Sequence, residues 1–204
     1  MAFRFYTSQG AEKVVYGITN PTITTGTLAA GPPGSPKDGD IWIATAVDGN
    51  GTRWQFQYNA GSASAYKWEF IGGVPMLAAV ATGENTTSTT YAALTTAGPS
   101  LTLARAGDYQ VTVEAFITAP LNAGIGFFAQ MSYDVGGTAA SDVWANVNTN
   151  AVNSATSVIQ SCVATQLQAG LSASTALVSK YKSTSGTTAG FSHRVLRAIP
   201  VRVS

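Results

Sequence analysis

Between Arg53 and Gly73 two runs set a large ring on every second residue, separated by seven small or polar residues. "RWQFQY" sets Trp54, Phe56 and Tyr58 on one face and Arg53, Gln55 and Gln57 on the other, and "YKWEFIGG" alternates Tyr66, Trp68 and Phe70 with Lys67 and Glu69. A period of two belongs to a half-buried strand and not to a helix. With "IWIATAV" upstream and the turn-forming "DGNGT" between, residues 40–73 are predicted to form a three-stranded meander. Folding the second hairpin symmetrically about Ser62 pairs Tyr58 with Tyr66, Phe56 with Trp68, and Trp54 with Phe70. Each aromatic pair contributes about 0.2–1 kcal/mol. So small a sheet cannot bury a thick core, and large rings supply the most apolar area per position. The aromatic face therefore reads as a mini-core or as a docking face for the next domain. A carbohydrate-stacking platform is the alternative.

The rest of the chain continues in the same mode. Leu101 and Leu103, then Tyr109, Val111 and Val113, then Ile125, Phe127, Ala129, Met131 and Tyr133 alternate as strand positions do. "SVIQSCVATQ", "TALVSKYKST" and "SHRVLRAIPVRV" are further strand candidates, while "LNAG", "DVGG" and "TSGTTAG" read as turns. At most one turn of helix fits, in "TNAVNSATSVIQ". The predicted fold class is all-β: a small three-stranded meander followed by a jelly-roll β-sandwich. Residues 1–39 read as an extended N-terminal arm and linker, because "TNPTITTGTLAAGPPGSPKDGD" has no period long enough to build a core element. Phe3, Phe5 and Tyr6 near its start are the candidate anchoring groups. The division is thus 1–39 arm and linker, 40–73 aromatic meander, and 74–204 sandwich.

Charge is laid out in blocks. Residues 84–142 hold five acids (Glu84, Asp108, Glu114, Asp134, Asp142) against Arg105, whereas residues 180–204 hold Lys180, Lys182, Arg194, Arg197 and Arg202 with no acid. Residues 143–179 are uncharged. Opposite charges are favourable neighbours across strands. A fold that returns its last strands beside its early ones would interleave the two sets. A basic tail gripping an anionic surface is the competing reading.

Only 10% of the 204 residues are charged, against about 25% in ordinary soluble domains. That deficit points to a surface covered by another chain, with a neutral surface rich in Ser, Thr and Asn as the alternative. The net charge of +1 offers no argument for nucleic acid or for an anionic membrane, and no apolar run approaches the ~18 residues of a membrane span. The start, "MAFRFYTSQGAEKVVYG", lacks the apolar core of an export signal. Cys162 is the only cysteine and reads as a small buried hydrophobe. His193 is the only histidine, which excludes a two-histidine metal site and makes a triad depend on one residue. "DGDI" and "DGNGT" miss calcium-loop spacing, and "GPPGSPK" misses the phosphate-loop pattern. Glu114 and Asp134 are the one carboxylate pair worth testing as a glycosidase couple. The expectation is a protein that is not an enzyme and that uses neither cofactor nor metal.

One stretch also carries a resemblance. "GPPGSPKDGDIWIATAVDGNGTRWQFQYNAGSASAYKWEFIGG", through Pro33, Pro36, Asp38, Gly39, Trp54, Tyr58, Tyr66, Lys67, Trp68, Phe70, Gly72 and Gly73, resembles a module of tailed-bacteriophage structural proteins. "TTYAALTTAGPSLTLARAGDYQVTVEAFI" and "RVLRAIPV" look like the first and last strands of trimeric C1q/TNF-like jelly rolls in phage virion proteins. The resemblance implies a virion component assembled in the host cytoplasm: a homotrimer held by its arm to other tail or capsid proteins. It would be a minor tail, short fibre or spike protein, or else a capsid decoration. On the first reading the outer loops around Trp144 are the candidate contact with a host surface glycan or protein.

Overall fold

The computed structural model describes residues 3–6, 12–15, 21–45, 53–118, 129–137, 159–183, 186 and 188–204. All the regular structure among them is strand. In chain order the strands are β1 (Phe3–Tyr6), β2 (Glu12–Val15), β3 (Ile23–Thr27), β4 (Ile41–Thr45), β5 (Trp54–Tyr58), β6 (Trp68–Gly73) and β7 (Met76–Val80). There follow β8 (Glu84–Thr86), β9 (Ser100–Thr102), β10 (Gly107–Thr118), β11 (Ala129–Val135), β12 (Ile159–Leu171), β13 (Ala176–Ser183) and β14 (Ala189–Val203). β1 and β2 form a hairpin of their own. The other strands make a wide nine-stranded sheet and a small sheet ordered β11–β13–β9, packed as the two layers of a sandwich.

β14 organises the wide sheet. One of its edges runs along β10 from Gly107↔Val203 to Thr118↔Gly190, and β12 follows outside β10. Its other edge is shared in sequence by β8 at residues 189–191, β7 at 194–198 and β6 at 202–203. A strand of 15 residues cannot keep one face inward over a twisted sheet without adjustment. Register shifts occur at two places, between the partners of Asp108 and Tyr109 and between those of Glu114 and Phe116. Each inserts one residue and flips the alternation. The inward set passes from Val203 to Ala198, Leu196 and Arg194, and then to Phe191 and Ala189. His193 sits at the second shift with φ 48°, a left-handed conformation.

Between the layers, Tyr109, Val111, Val113, Ala115 and Ile117 of β10 face Leu101, Met131, Leu177 and Tyr181 of the small sheet. The Tyr181 and Phe191 rings meet at 4.9 Å across the gap. Tyr109 opens β10 and its hydroxyl donates to the Arg105 carbonyl at 2.9 Å, tying the strand to the turn before it. Fully burying each such side chain contributes about 1.5–3 kcal/mol. The separated charge blocks are interleaved as well. Glu84 meets Arg194, Asp108 meets Arg202, Glu114 meets Arg197 and Asp134 meets Lys180, at 3.1–3.6 Å. Each pair joins an acid of the earlier block to a base of the last 25 residues.

The meander forms from β4, β5 and β6, antiparallel and in that order. Its register differs from the symmetric folding about Ser62. Tyr58 lies opposite Trp68, Phe56 opposite Phe70 and Trp54 opposite Gly73. The turn is the cause: Asn59 N donates to Lys67 O and Ser62 N to Asn59 O, which centres the hairpin one residue later and leaves Tyr66 in the turn. A register shift between Gln55 and Phe56 then adds a residue. Trp54 lies over Gly73, where a Cβ would fall 2.6 Å from its Cδ1, and touches Phe70 diagonally at 6.2 Å.

Within residues 1–39, the stretch 21–39 departs from its reading as a linker. The Thr-rich segment supplies β3, parallel to β4, and Leu28 after it is buried. The Asp40 carboxylate closes the crossover by accepting from Thr22 N and Lys37 N, both at 2.8 Å. These two backbone hydrogen bonds hold its pKa below the ordinary carboxylate value. β3 builds no core of its own. It borrows one by joining a sheet that already exists. β7 and β8 also lie where the local pattern had suggested no strand.

Candidate interaction surface

The residues singled out from sequence have two main destinations. Trp54, Phe56 and Trp68 are buried, and Tyr58 and Phe70 pack against the same core, with Trp42 stacked on Phe56 at 5.2 Å. Tyr66 is half-buried in the turn. These rings face one another and the body, so no flat aromatic face is left for a sugar ring. Phe3, Phe5 and Tyr6 lie on β1, opposite Val15, Lys13 and Glu12 of β2. Trp144 lies outside the described residues. Cys162 is on β12 opposite Ala115. His193 is exposed on the wide sheet, edge-on to Phe116 at 5.4 Å.

The two carboxylates considered as a glycosidase couple are not brought together. Glu114 is on the wide sheet, engaged by Arg197, and Asp134 is on the small sheet, engaged by Lys180. Among the described residues no three His, Cys, Asp or Glu side chains gather into a possible metal group.

What the structure does assemble is a surface. All seven exposed large hydrophobic side chains among the described residues, Ile23, Ile71, Val74, Leu77, Phe116, Val163 and Leu167, belong to the wide sheet or to the link between β6 and β7. Four of them share the outer face of β7–β14–β10–β12: Leu77 is 59% exposed, Val163 54%, Leu167 55% and Phe116 38%. The ladders arrange this face in rows. Leu77, Arg197, Thr112 and Thr165 form one, and Ala79, Val195, Glu114 and Val163 the next. Ile199, Gln110 and Leu167 form a third.

The polar members of the central rows are satisfied within the chain. Arg197 Nη2 lies 3.2 Å from Glu114 Oε2, and the Thr112 and Thr165 hydroxyls share a hydrogen bond of 2.9 Å. The face is therefore neutral, apolar at its periphery and closed at its polar centre.

Local sequence reading missed Leu77, Val163 and Leu167 as surface groups. β7 is apolar on both faces, and in β12 the alternation is inverted, with Gln166 and Gln168 turned toward the small sheet and Val163 and Leu167 away from it. The signal available was global: a chain with so few charges has an apolar surface somewhere. No protein-family model matches the chain, and no curated protein matches it.

Proposed function

We propose that the protein is a non-enzymatic structural component of a tailed-bacteriophage virion. It assembles as a homotrimer, is fixed to other virion proteins through its N-terminal arm with Phe3, Phe5 and Tyr6, and projects a jelly-roll body as a minor tail, short-fibre or spike protein.

The observation that carries this reading is the strand order. The last strand, β14, lies between β10 and the early strands β7 and β8, while β9, β13 and β11 form the opposing layer. Last-beside-first placement across two layers also occurs in jelly rolls and supports that half of the resemblance. The buried rings of the meander support the other half. They make it a compact spacer between an anchoring segment and a projecting body.

One observation favours a second reading, that of a capsid decoration without a specific receptor. The wide sheet runs without a break from β3 to β12, so meander and body form one block with no stalk between them. Electron micrographs of particles labelled on this protein test both. Label at the tail supports the first reading and label over the head supports the second. Purified particles that carry no label contradict both. Competition by purified protein against phage adsorption tests contact with a host surface glycan or protein.

A further inference from the structure

The outer face of β7–β14–β10–β12 has an occupant that its chemistry can specify. We infer that this face is the contact between copies of the chain, and that a second copy covers Leu77, Phe116, Val163 and Leu167. The placement rests on the reading that the protein self-assembles, and adds where the copies meet.

Area is the first argument. Four strands spaced about 4.8 Å apart, of 5, 15, 12 and 13 residues at about 3.3 Å per residue, present roughly 700 Å². Each partner in a standard stable interface buries about 800 Å². The face thus matches what one protomer has to offer, and the small sheet has no exposed large hydrophobic residue among the described residues with which to compete.

Charge is the second argument. A surface that recognises a different protein is typically matched to it by unlike charge, and like charges brought together are costly. Here the central charges, Arg197 and Glu114, cancel within one copy at 3.2 Å. Thr112 and Thr165 share a hydrogen bond of 2.9 Å. Such a face can meet an identical chain without like-charge repulsion. β12 at its rim extends the argument, since residues 159–171 hold no charge.

Sedimentation of the full chain tests the inference. The wild type is expected to run as a trimer, and Val163→Lys and Leu77→Lys, each made singly, are expected to run as monomers with unchanged far-ultraviolet circular dichroism. Thr102→Lys on exposed β9 of the opposite layer is expected to remain trimeric. A wild-type trimer that survives both face substitutions overturns the placement and leaves self-assembly standing. A wild type at single-chain mass, whether or not another protein covers the face, overturns self-assembly and the placement together. Should a lysine variant fail to fold, hydroxyl-radical footprinting of wild-type protein decides. Protection of Leu77, Phe116 and Leu167 is expected, and oxidation at the level of free, exposed side chains contradicts the inference.

Discussion

Arg194 Nη2 lies 3.3 Å from Glu84 Oε2, and the guanidinium is wholly buried between the two layers of the sandwich. Arg194 also donates to the Thr96 and Gly98 carbonyls and lies 5.4 Å from the centre of the Tyr181 ring. Glu84 in turn accepts from the Thr96 backbone N–H and hydroxyl. The pair thus pins the loop around Thr96 to the middle of β14. An isolated buried cation is expensive, so removing its counter-ion costs more than the pair itself contributes.

Glu84→Ala is accordingly expected to destabilise the fold by about 3 kcal/mol in urea unfolding. Glu84→Gln keeps an oxygen for Thr96 and should lose less. Equal losses for the two would place the effect in the charge and not in the hydrogen bonds to Thr96.

Gly107→Ala should be among the most damaging small substitutions. A Cβ there would lie 2.1 Å from the Arg202 carbonyl oxygen and 3.1 Å from Val203 Cα, both backbone atoms of β14. Relief requires β10 and β14 to part at the end where β6 also joins. The expected cost is about 3 kcal/mol, at the upper end for overpacking, read as a lowered denaturation midpoint. A variant within 0.5 kcal/mol or so of wild type, the ordinary range for a neutral surface change, would refute the close approach.

Three buried tyrosines set the alkaline limit. Burial raises the pKa of Tyr109, Tyr133 and Tyr181, outweighing the hydrogen bonds that lower it. A folded-state pKa raised above the unfolded value leaves stability intact below the unfolded pKa of about 10 and removes it progressively above. Urea midpoints should therefore hold between neutrality and about pH 10 and then fall. Tyr109→Phe should flatten that decline, although it also loses the hydrogen bond to Arg105. An unchanged slope would show that Tyr109 ionises freely in the folded chain.

Asp40 works in the opposite direction. Its folded pKa is lowered by the Lys37 and Thr22 backbone N–H groups. Its contribution is present above the unfolded carboxylate value near 4 and is lost as the pH falls through the folded value. Asp40→Asn should flatten the acid limb of the stability profile below about pH 4. Amide exchange at Thr22 and Lys37 should be faster in that variant, because an amide cannot accept as two carboxylate oxygens do. Unchanged exchange at both would remove Asp40 as the clasp of the β3–β4 crossover.

The parts of this fold legible in sequence are those in which one strand carries its own pattern. Tyr109, Val111 and Val113 announce β10, and the acid and base blocks anticipate the four ion pairs that set β14 beside β8 and β10 and β13 beside β11. β3 and β7 were not legible, because "ITTGT" and "MLAAV" do not alternate and take their structure from the sheet they join. The hairpin register depends on the turn bonds Asn59 N to Lys67 O and Ser62 N to Asn59 O, and on one inserted residue, which composition does not encode. The outer face was visible only as a shortage of charge. Its apolar residues come from β7, β10 and β12, far apart in the chain, and only the ladders set them side by side.

The account depends most on β14 joining the aromatic module and the two-layer body in one sheet. Glu69 and Trp68 pair with Arg202 and Val203, Ser64 reaches Asp108 at 3.4 Å, and Arg105 holds the Ser204 carbonyl at 2.6 Å. In a Trp144→Phe background the remaining tryptophans, Trp42, Trp54 and Trp68, all lie in the module, so their fluorescence reports it alone, while far-ultraviolet circular dichroism reports every strand. Urea unfolding followed by both signals should give superimposable curves with one midpoint. A tryptophan transition separated from the dichroism transition would show two independently folding units and contradict the joining role of β14.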